Sequence, residues 1–362
     1  YVFAALGGGD WFSAADVQNF YGSAGPAIVT QNAPNGLVQV GASDMIFIER
    51  GGLLPGNPVA NAAAVFGHSA TQMTDSASVY DLLIRLDARS SATPTQFLPL
   101  MLPLFEVAAN TTGRSLEGMV ETLARLFRVD GSTILEDSRE ALHSRIKLIK
   151  DSAAFQSLAG KVRIDPSSAD LRANARNDFS ALASLLTLSP ITLSATNAAN
   201  QLVLDAALAQ AWGTTHSNWL TDRSMSLADR QAGNETFSDM FIDDRAAMLD
   251  WVMLRNTRNI NGTLTNQNTG RSIAESANYE DKASGTLLFV GTADLNQRAQ
   301  YVFGGAAAET IGGFGRADHL YGGAGNDTLG GDGGNDWLEG NADNDTLNGG
   351  DASDTLLGGA GT

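Results

Sequence analysis

Apolar residues recur every three or four positions through the middle of the chain. Val79, Leu82, Leu83 and Leu86 fall on one face of a helix beginning near Thr74, and Leu116, Met119, Val120, Leu123 and Phe127 fall on one face of another. Similar spacing predicts helices over 138–150, 171–186, 200–212 and 237–255. Residues 96–110 are apolar but include Pro99 and Pro103, which remove backbone donors, so a helix there is kinked or broken. Residues 1–70 follow another pattern. Short apolar runs at 27–30, 37–40 and 45–49 lie between turn signals (Asn32, Pro34 to Gly36, Gly51 and Gly52), which predicts strands and loops. Residues 258–285 are rich in Asn, Thr, Gly and Ser and read as a connector, ahead of strands at 286–290 and 300–303.

The pattern changes again at residue 304. From there the chain divides in register into nine-residue units beginning at Gly304, Gly313, Gly322, Gly331, Gly340 and Gly349, with a broken unit from Gly358. One acid recurs per unit: Glu309, Asp318, Asp327, Asp336, Asp345 and Asp354. Two places later a large aliphatic recurs: Ile311, Leu320, Leu329, Leu338, Leu347 and Leu356. A carboxylate supplies hard oxygen ligands, and flanking glycines permit positive φ, so that backbone carbonyls can turn toward the same ion. The residues around each aliphatic form a very short strand with one side chain inward, and a single inward Leu is no core until units stack. Without a cation the ranked carboxylates repel one another and the expected state is disorder; ion binding then supplies folding free energy.

These residues resemble the GGxGxDxUx repeats of RTX proteins, the calcium-binding β-roll of type I-secreted bacterial proteins. Unit 322–330, GGAGNDTLG, matches at every defined position. Units 331–339, 340–348 and 349–357 each lose one or more glycines, and the two units before 322 are degenerate, with Glu309 in place of Asp. The resemblance implies a parallel roll with two units per turn and Ca2+ held between loops 18 residues apart. It would pair Asp318 with Asp336, Asp327 with Asp345, and Asp336 with Asp354. Carbonyls would come from Gly323, Gly325, Gly340 and Ala342, and Gly331, Gly333, Gly334, Gly349 and Asp351 join the same ligand set. It also implies export by a type I secretion machinery and an extracellular or cell-surface location. The array breaks off inside a repeat at Thr362, so the sequence reads as a fragment of a longer polypeptide.

Charge sharpens this division. The chain has 40 acidic and 23 basic residues and a formal net charge of −17, and ten of those acids but only one base lie beyond residue 303. The excess argues against nucleic acid, which requires a basic face, and favours divalent cations. The absence of cysteine excludes a disulfide scaffold and Cys-ligated zinc or iron–sulfur sites. No stretch approaches the roughly 20 consecutive apolar residues of a membrane span. The expected architecture is a mainly α globular body with a small α/β or strand-containing N-terminal part, followed by the parallel β-roll. Its segments are 1–73, open to being the end of a larger upstream domain, then a helical domain at 74–257, a connector at 258–303 and the roll at 304–362.

Chemistry in the body is sparse. There are four histidines and no HExxH, GxxxxGK[ST] or GxSxG motif. Asp44 and His68 form one constellation, since residues 37–88 weakly resemble the tail of an RTX-associated lipase-like α/β-hydrolase domain. That resemblance implies His68 as general base, Asp44 as its orienting acid and a nucleophile upstream of Tyr1. The plainer reading makes His68 a helix-start residue and Asp44 a turn residue. His216 beside Trp212 and Trp219 reads as an aromatic cluster, Asp243 and Asp244 as a solvated helix face, and His319 as a variable repeat position without a role. Three function classes follow: a secreted calcium-binding RTX protein with a helical passenger or effector body, the C-terminal part of a secreted serine hydrolase, or a self-assembling subunit of an extracellular layer, filament or adhesin.

Overall fold

The computed structural model describes residues 18–23, 42–47, 70–91, 100–101, 104–105, 107–108, 115–129, 139–168, 170–258 and 260–359. In chain order its elements are β1 (Gln18–Ser23), β2 (Ala42–Phe47), α1 (Ala70–Leu86), α2 (Ser115–Leu126), α3 (Arg139–Asp151), α4 (Ala153–Leu158), β3 (Val162–Pro166), α5 (Asp170–Asn174), α6 (Phe179–Leu186) and β4 (Ile191–Ala195). There follow α7 (Ala198–Trp212), α8 (Thr214–Ser224), α9 (Leu227–Gln231), α10 (Asp239–Arg258), α11 (Asn266–Thr269), β5 (Ala277–Asp281) and β6 (Thr286–Val290). The last strands are β7 (Ala299–Phe303), β8 (Thr310–Phe314), β9 (His319–Ala324), β10 (Thr328–Asp332), β11 (Trp337–Ala342), β12 (Thr346–Asn348) and β13 (Thr355–Leu357). The chain forms two compact units, one of Tyr1–Pro166 with Ile191–Ala207, the other of Ser167–Pro190 with Leu208–Thr362.

In the first unit the predicted stripes are the core. Val79, Leu82, Leu83 and Leu86 of α1 and Leu116, Met119, Val120 and Leu123 of α2 are all buried, because the 3.6-residue period keeps them on one face. Strands β3 and β4 pair antiparallel. Their anchor is the buried Asp87, which accepts from the Ile164 N–H at 2.8 Å and from Arg89 Nη2 at 2.7 Å. Strands β1 and β2 pair parallel, with Phe20 opposite Asp44. The predicted runs at 27–30 and 37–40 lie outside the described residues.

In the second unit the predicted helix over 171–186 is two helices. Asp178 is extended and its carboxylate accepts from the Ser180 N–H at 2.8 Å, capping α6 and separating it from α5. The aromatic cluster forms as expected: the His216 ring lies 4.7 Å from Phe179 and 5.5 Å from Trp219, and Phe179 lies 5.7 Å from Trp212. The segment read as a connector also contains α11 and β5.

The roll has two walls. One is the three-stranded sheet β8–β10–β12; the other is the six-stranded sheet β6–β5–β7–β9–β11–β13. From β7 onward, successive strands alternate between walls, so residues 18 apart stand side by side: Thr310, Thr328 and Thr346 on one, His319, Trp337 and Thr355 on the other. Val302, Ile311, Leu320, Leu329 and Leu338 fill the space between, with Leu347 packed against them. The antiparallel β6 closes one end, where Val290 bridges to Leu264. No described helix is long and apolar enough to cross a membrane.

Candidate metal centre

The nonapeptide period places each repeat carboxylate at the turn entering a strand, one 18-residue turn from its neighbour. The resulting contacts are uniform. One carboxylate oxygen, Oδ1, accepts a backbone N–H from 18 residues earlier: Gln300 to Asp318 at 2.7 Å, Asp318 to Asp336 at 2.9 Å, and Asp336 to Asp354 at 3.1 Å. On the other side of the roll, Glu309 donates to Asp327 at 2.7 Å and Asp327 to Asp345 at 2.8 Å. Two rows result: Asp318, Asp336 and Asp354 precede strands of the six-stranded wall, while Asp327 and Asp345 precede strands of the three-stranded wall.

The second oxygen decides what the rows can do. Oδ2 of Asp318, Asp327, Asp336 and Asp345 is buried and has no hydrogen-bond partner. A buried unpaired carboxylate oxygen costs several kcal/mol at the order-of-magnitude level, so an array of them calls for a cation. A carbonyl oxygen from the next turn stands at the same spot. A Cβ built on Gly322 would lie 2.6 Å from Asp327 Oδ2 and 2.7 Å from the Gly340 carbonyl oxygen. One on Gly313 would collide with Asp318 Oδ2 and the Gly331 oxygen, one on Gly331 with Asp336 Oδ2 and the Gly349 oxygen, and one on Gly340 with Asp345 Oδ2 and the Gly358 oxygen. The first glycines of the units at 313, 322, 331 and 340 therefore each keep open a cradle lined by a carboxylate and a carbonyl.

The donor set fits a hard cation. Among the described residues no three His, Cys, Asp or Glu side chains converge as a metal-binding group. The cradles present oxygen atoms alone, a carboxylate and a carbonyl each, a donor set that suits Ca2+ rather than softer metals. Electrostatics agree. Burial raises the Asp318 carboxyl to about 7, opposed by the Gln300 N–H and reinforced by the Asp336 charge. Burial likewise raises Asp327, Asp336 and Asp345. In each case the metal-free fold disfavours the charged form that a cation would favour.

The other residues named from the sequence have defined places. Gly323, Gly325 and Gly334 take positive φ of 96°, 107° and 132°. Ala342 ends β11 opposite Ala324. Gly333 bridges to Asp351, whose N–H donates to the Asp332 carbonyl at 2.7 Å. Asp44 lies within β2, and His68 is outside the described residues. Sequence reasoning missed Gln300, which donates to Asp318 from outside the repeats, and the Gly358 carbonyl. It also missed the special status of the first glycine, although its periodic signal is plain: that position is Gly in every unit from 304 to 358, while other glycines are replaced.

Residues 303–338 and 330–362 match the family model described as RTX calcium-binding nonapeptide repeat (4 copies). No curated protein and no solved structure matches the chain. Residues 303–362 are RTX calcium-binding repeats, wound into a parallel β-solenoid whose turns stack their carboxylates in two rows.

Proposed function

We propose that the protein is exported unfolded through a type I secretion machinery and folds outside the cell when Ca2+ enters the two rows, with the helical part as its passenger or effector body. The observation that carries this reading is the set of four buried, unpartnered Oδ2 atoms, each facing a carbonyl across a gap kept by glycine. Bound Ca2+ supplies positive charge where the chain has gathered only oxygens. Asp318, Asp327, Asp336 and Asp345 each contribute Oδ2, and Gly331, Gly340, Gly349 and Gly358 contribute carbonyls. The Oδ1 bonds orient the carboxylates and tie consecutive turns together. One aliphatic per nine residues is a thin core, so the ordered roll depends on those ions being present.

Calcium uptake by the full chain, measured by equilibrium dialysis alongside circular dichroism with and without EDTA, tests the reading. Uptake at millimolar calcium or below, with β signal lost on chelation, is the expected result. A roll that keeps its β signal in EDTA would overturn ion-driven folding, and no uptake would overturn the ligand assignment.

A further inference from the structure

The two rows of carboxylates share one repeat and one backbone geometry, but their surroundings differ. On the six-stranded wall the outward side chains form two ladders by register: Tyr279, Tyr301, His319 and Trp337 in one, Asp281, Phe303, Tyr321 and Glu339 in the other. Tyr279 stacks on Tyr301 at 4.7 Å and Phe303 on Tyr321 at 5.1 Å. The first two turns of helix α10, with Ser238 just before it, grip these ladders. Ser238, whose hydroxyl accepts the Phe241 N–H at 3.0 Å, donates to Glu339 at 2.5 Å. Phe241 packs edge-on against Phe303 and Tyr321 at 5.5 and 5.2 Å. Asp244 Oδ2 accepts from the Tyr321 hydroxyl at 2.5 Å and lies 2.6 Å from His319 Nδ1. Arg245 stacks over Phe303 at 4.7 Å and pairs with Asp281 at 3.2 Å.

These grips fall beside one row. His319 and Trp337 directly follow Asp318 and Asp336, and Glu339 is held by the Trp337 indole N–H at 2.6 Å as well as by Ser238. On the opposite wall the residues that follow Glu309, Asp327 and Asp345 are Thr310, Thr328 and Thr346, and all three are exposed. Asp354 is followed by the exposed Thr355 on the edge strand β13 and lies beyond the gripped part.

We propose that the calcium sites fall into two classes: those of Asp318 and Asp336, pre-organised by α10 through Asp244 and Ser238, are tight, and those of Asp327 and Asp345 are weak. The inference rests on the calcium reading above. Its physical basis is the ordering that binding must impose. Where the wall is already fixed from outside, little conformational freedom remains to be lost, and a larger fraction of molecules is competent to bind. Asp244 and Ser238 touch no ion; they are positioning residues.

A calcium titration of the full chain tests this, read by equilibrium dialysis and by the fluorescence of Trp337, with Trp337→Phe subtracted to isolate that indole. Two steps are expected, with the Trp337 signal following the tighter one. Asp336→Asn takes one of the two sites out of the tight step and Asp345→Asn one of the two out of the weak step, each lowering the amplitude of its own step only. Asp244→Ala moves the tight step to about tenfold higher calcium or more by lowering the competent fraction, leaves the weak step in place, and Asp244→Asn, which keeps one acceptor, falls between. Should Asp244→Ala fail to fold, Ser238→Ala reads the same coupling from the helix N-terminus. A single class of sites, a Trp337 signal that follows the weak step, or a shift of both steps together would overturn the two-class assignment while leaving calcium binding intact. Absence of uptake in the unmutated chain would overturn both.

Discussion

The two walls of the roll are built from one repeat and come out as different surfaces. The nonapeptide fixes glycine, carboxylate and aliphatic alike on both. The residue after the carboxylate is left free, and it alternates as far as unit 340–348, Thr310, His319, Thr328, Trp337 and Thr346, before Thr355 breaks the pattern on the edge strand. Because strands alternate between walls, alternation in sequence becomes segregation in space. Threonine lines an exposed sheet, and aromatic and charged groups line a sheet gripped by α10. A repeat thus specifies its ion sites through invariant positions and its neighbours through a variable one.

The largest test of that contrast is chelation. With calcium removed, amide protection is expected to disappear over 277–357 and, with the six-stranded wall gone, over α10, while α3 and α4 in the other unit keep theirs. Hydrogen-exchange mass spectrometry reads all three, and persistent protection of α10 would show that its order does not depend on the wall. Next in size is the shared core. Leu329→Ala, fully buried between the walls, should destabilise the calcium-loaded roll by roughly 2–5 kcal/mol. Leu356→Ala, at an exposed position on the open edge, should stay within about 0.5 kcal/mol in the same denaturation series.

Acidity should separate the metal-free roll from the loaded one. Asp318 has an ordinary value of 3.8 and is raised by burial to about 7 in the metal-free fold. A raised folded-state value means a stabilising contribution fully present below 3.8 and lost as pH climbs through about 7. In EDTA the β signal that is lost at neutral pH should therefore be partly regained as the pH falls below that window. With calcium the trend should reverse, because the ligand form is the carboxylate. Equal slopes in both conditions would remove the carboxylates from the account. The smallest effect belongs to the backbone. Ala352 takes a φ of 88°, where glycine stands in unit 322–330. Ala352→Gly should relieve that strain and stabilise the roll by about 1 kcal/mol, the order of the left-handed penalty for an L-residue; a lower melting midpoint would contradict this.

The spacing of residues determined that the tail stacks, and the resemblance to RTX repeats implied the parallel roll of two units per turn. Six acids at a nine-residue interval, each with an aliphatic two places on, leave one inward side chain per unit, which forms no core until units stack. The helical stripes of α1 and α2 were legible for the same reason: a local period maps onto a local face. Tertiary structure alone decided what lay outside any period. Asp244 belongs to a pair of acids that reads as a solvated surface, yet it is buried because His319 and Tyr321, more than seventy residues away, bring it two hydrogen-bonding partners. Its neighbour Asp243 does stay at the surface, paired with Arg172. Strand β5 hides in a polar segment, where the buried Asn278 donates from Nδ2 to Gln300 Oε1 across the sheet at 2.8 Å. Periodic order is written in the chain because each unit repeats its own neighbours, whereas a single buried contact depends on which distant side chain arrives to complete it.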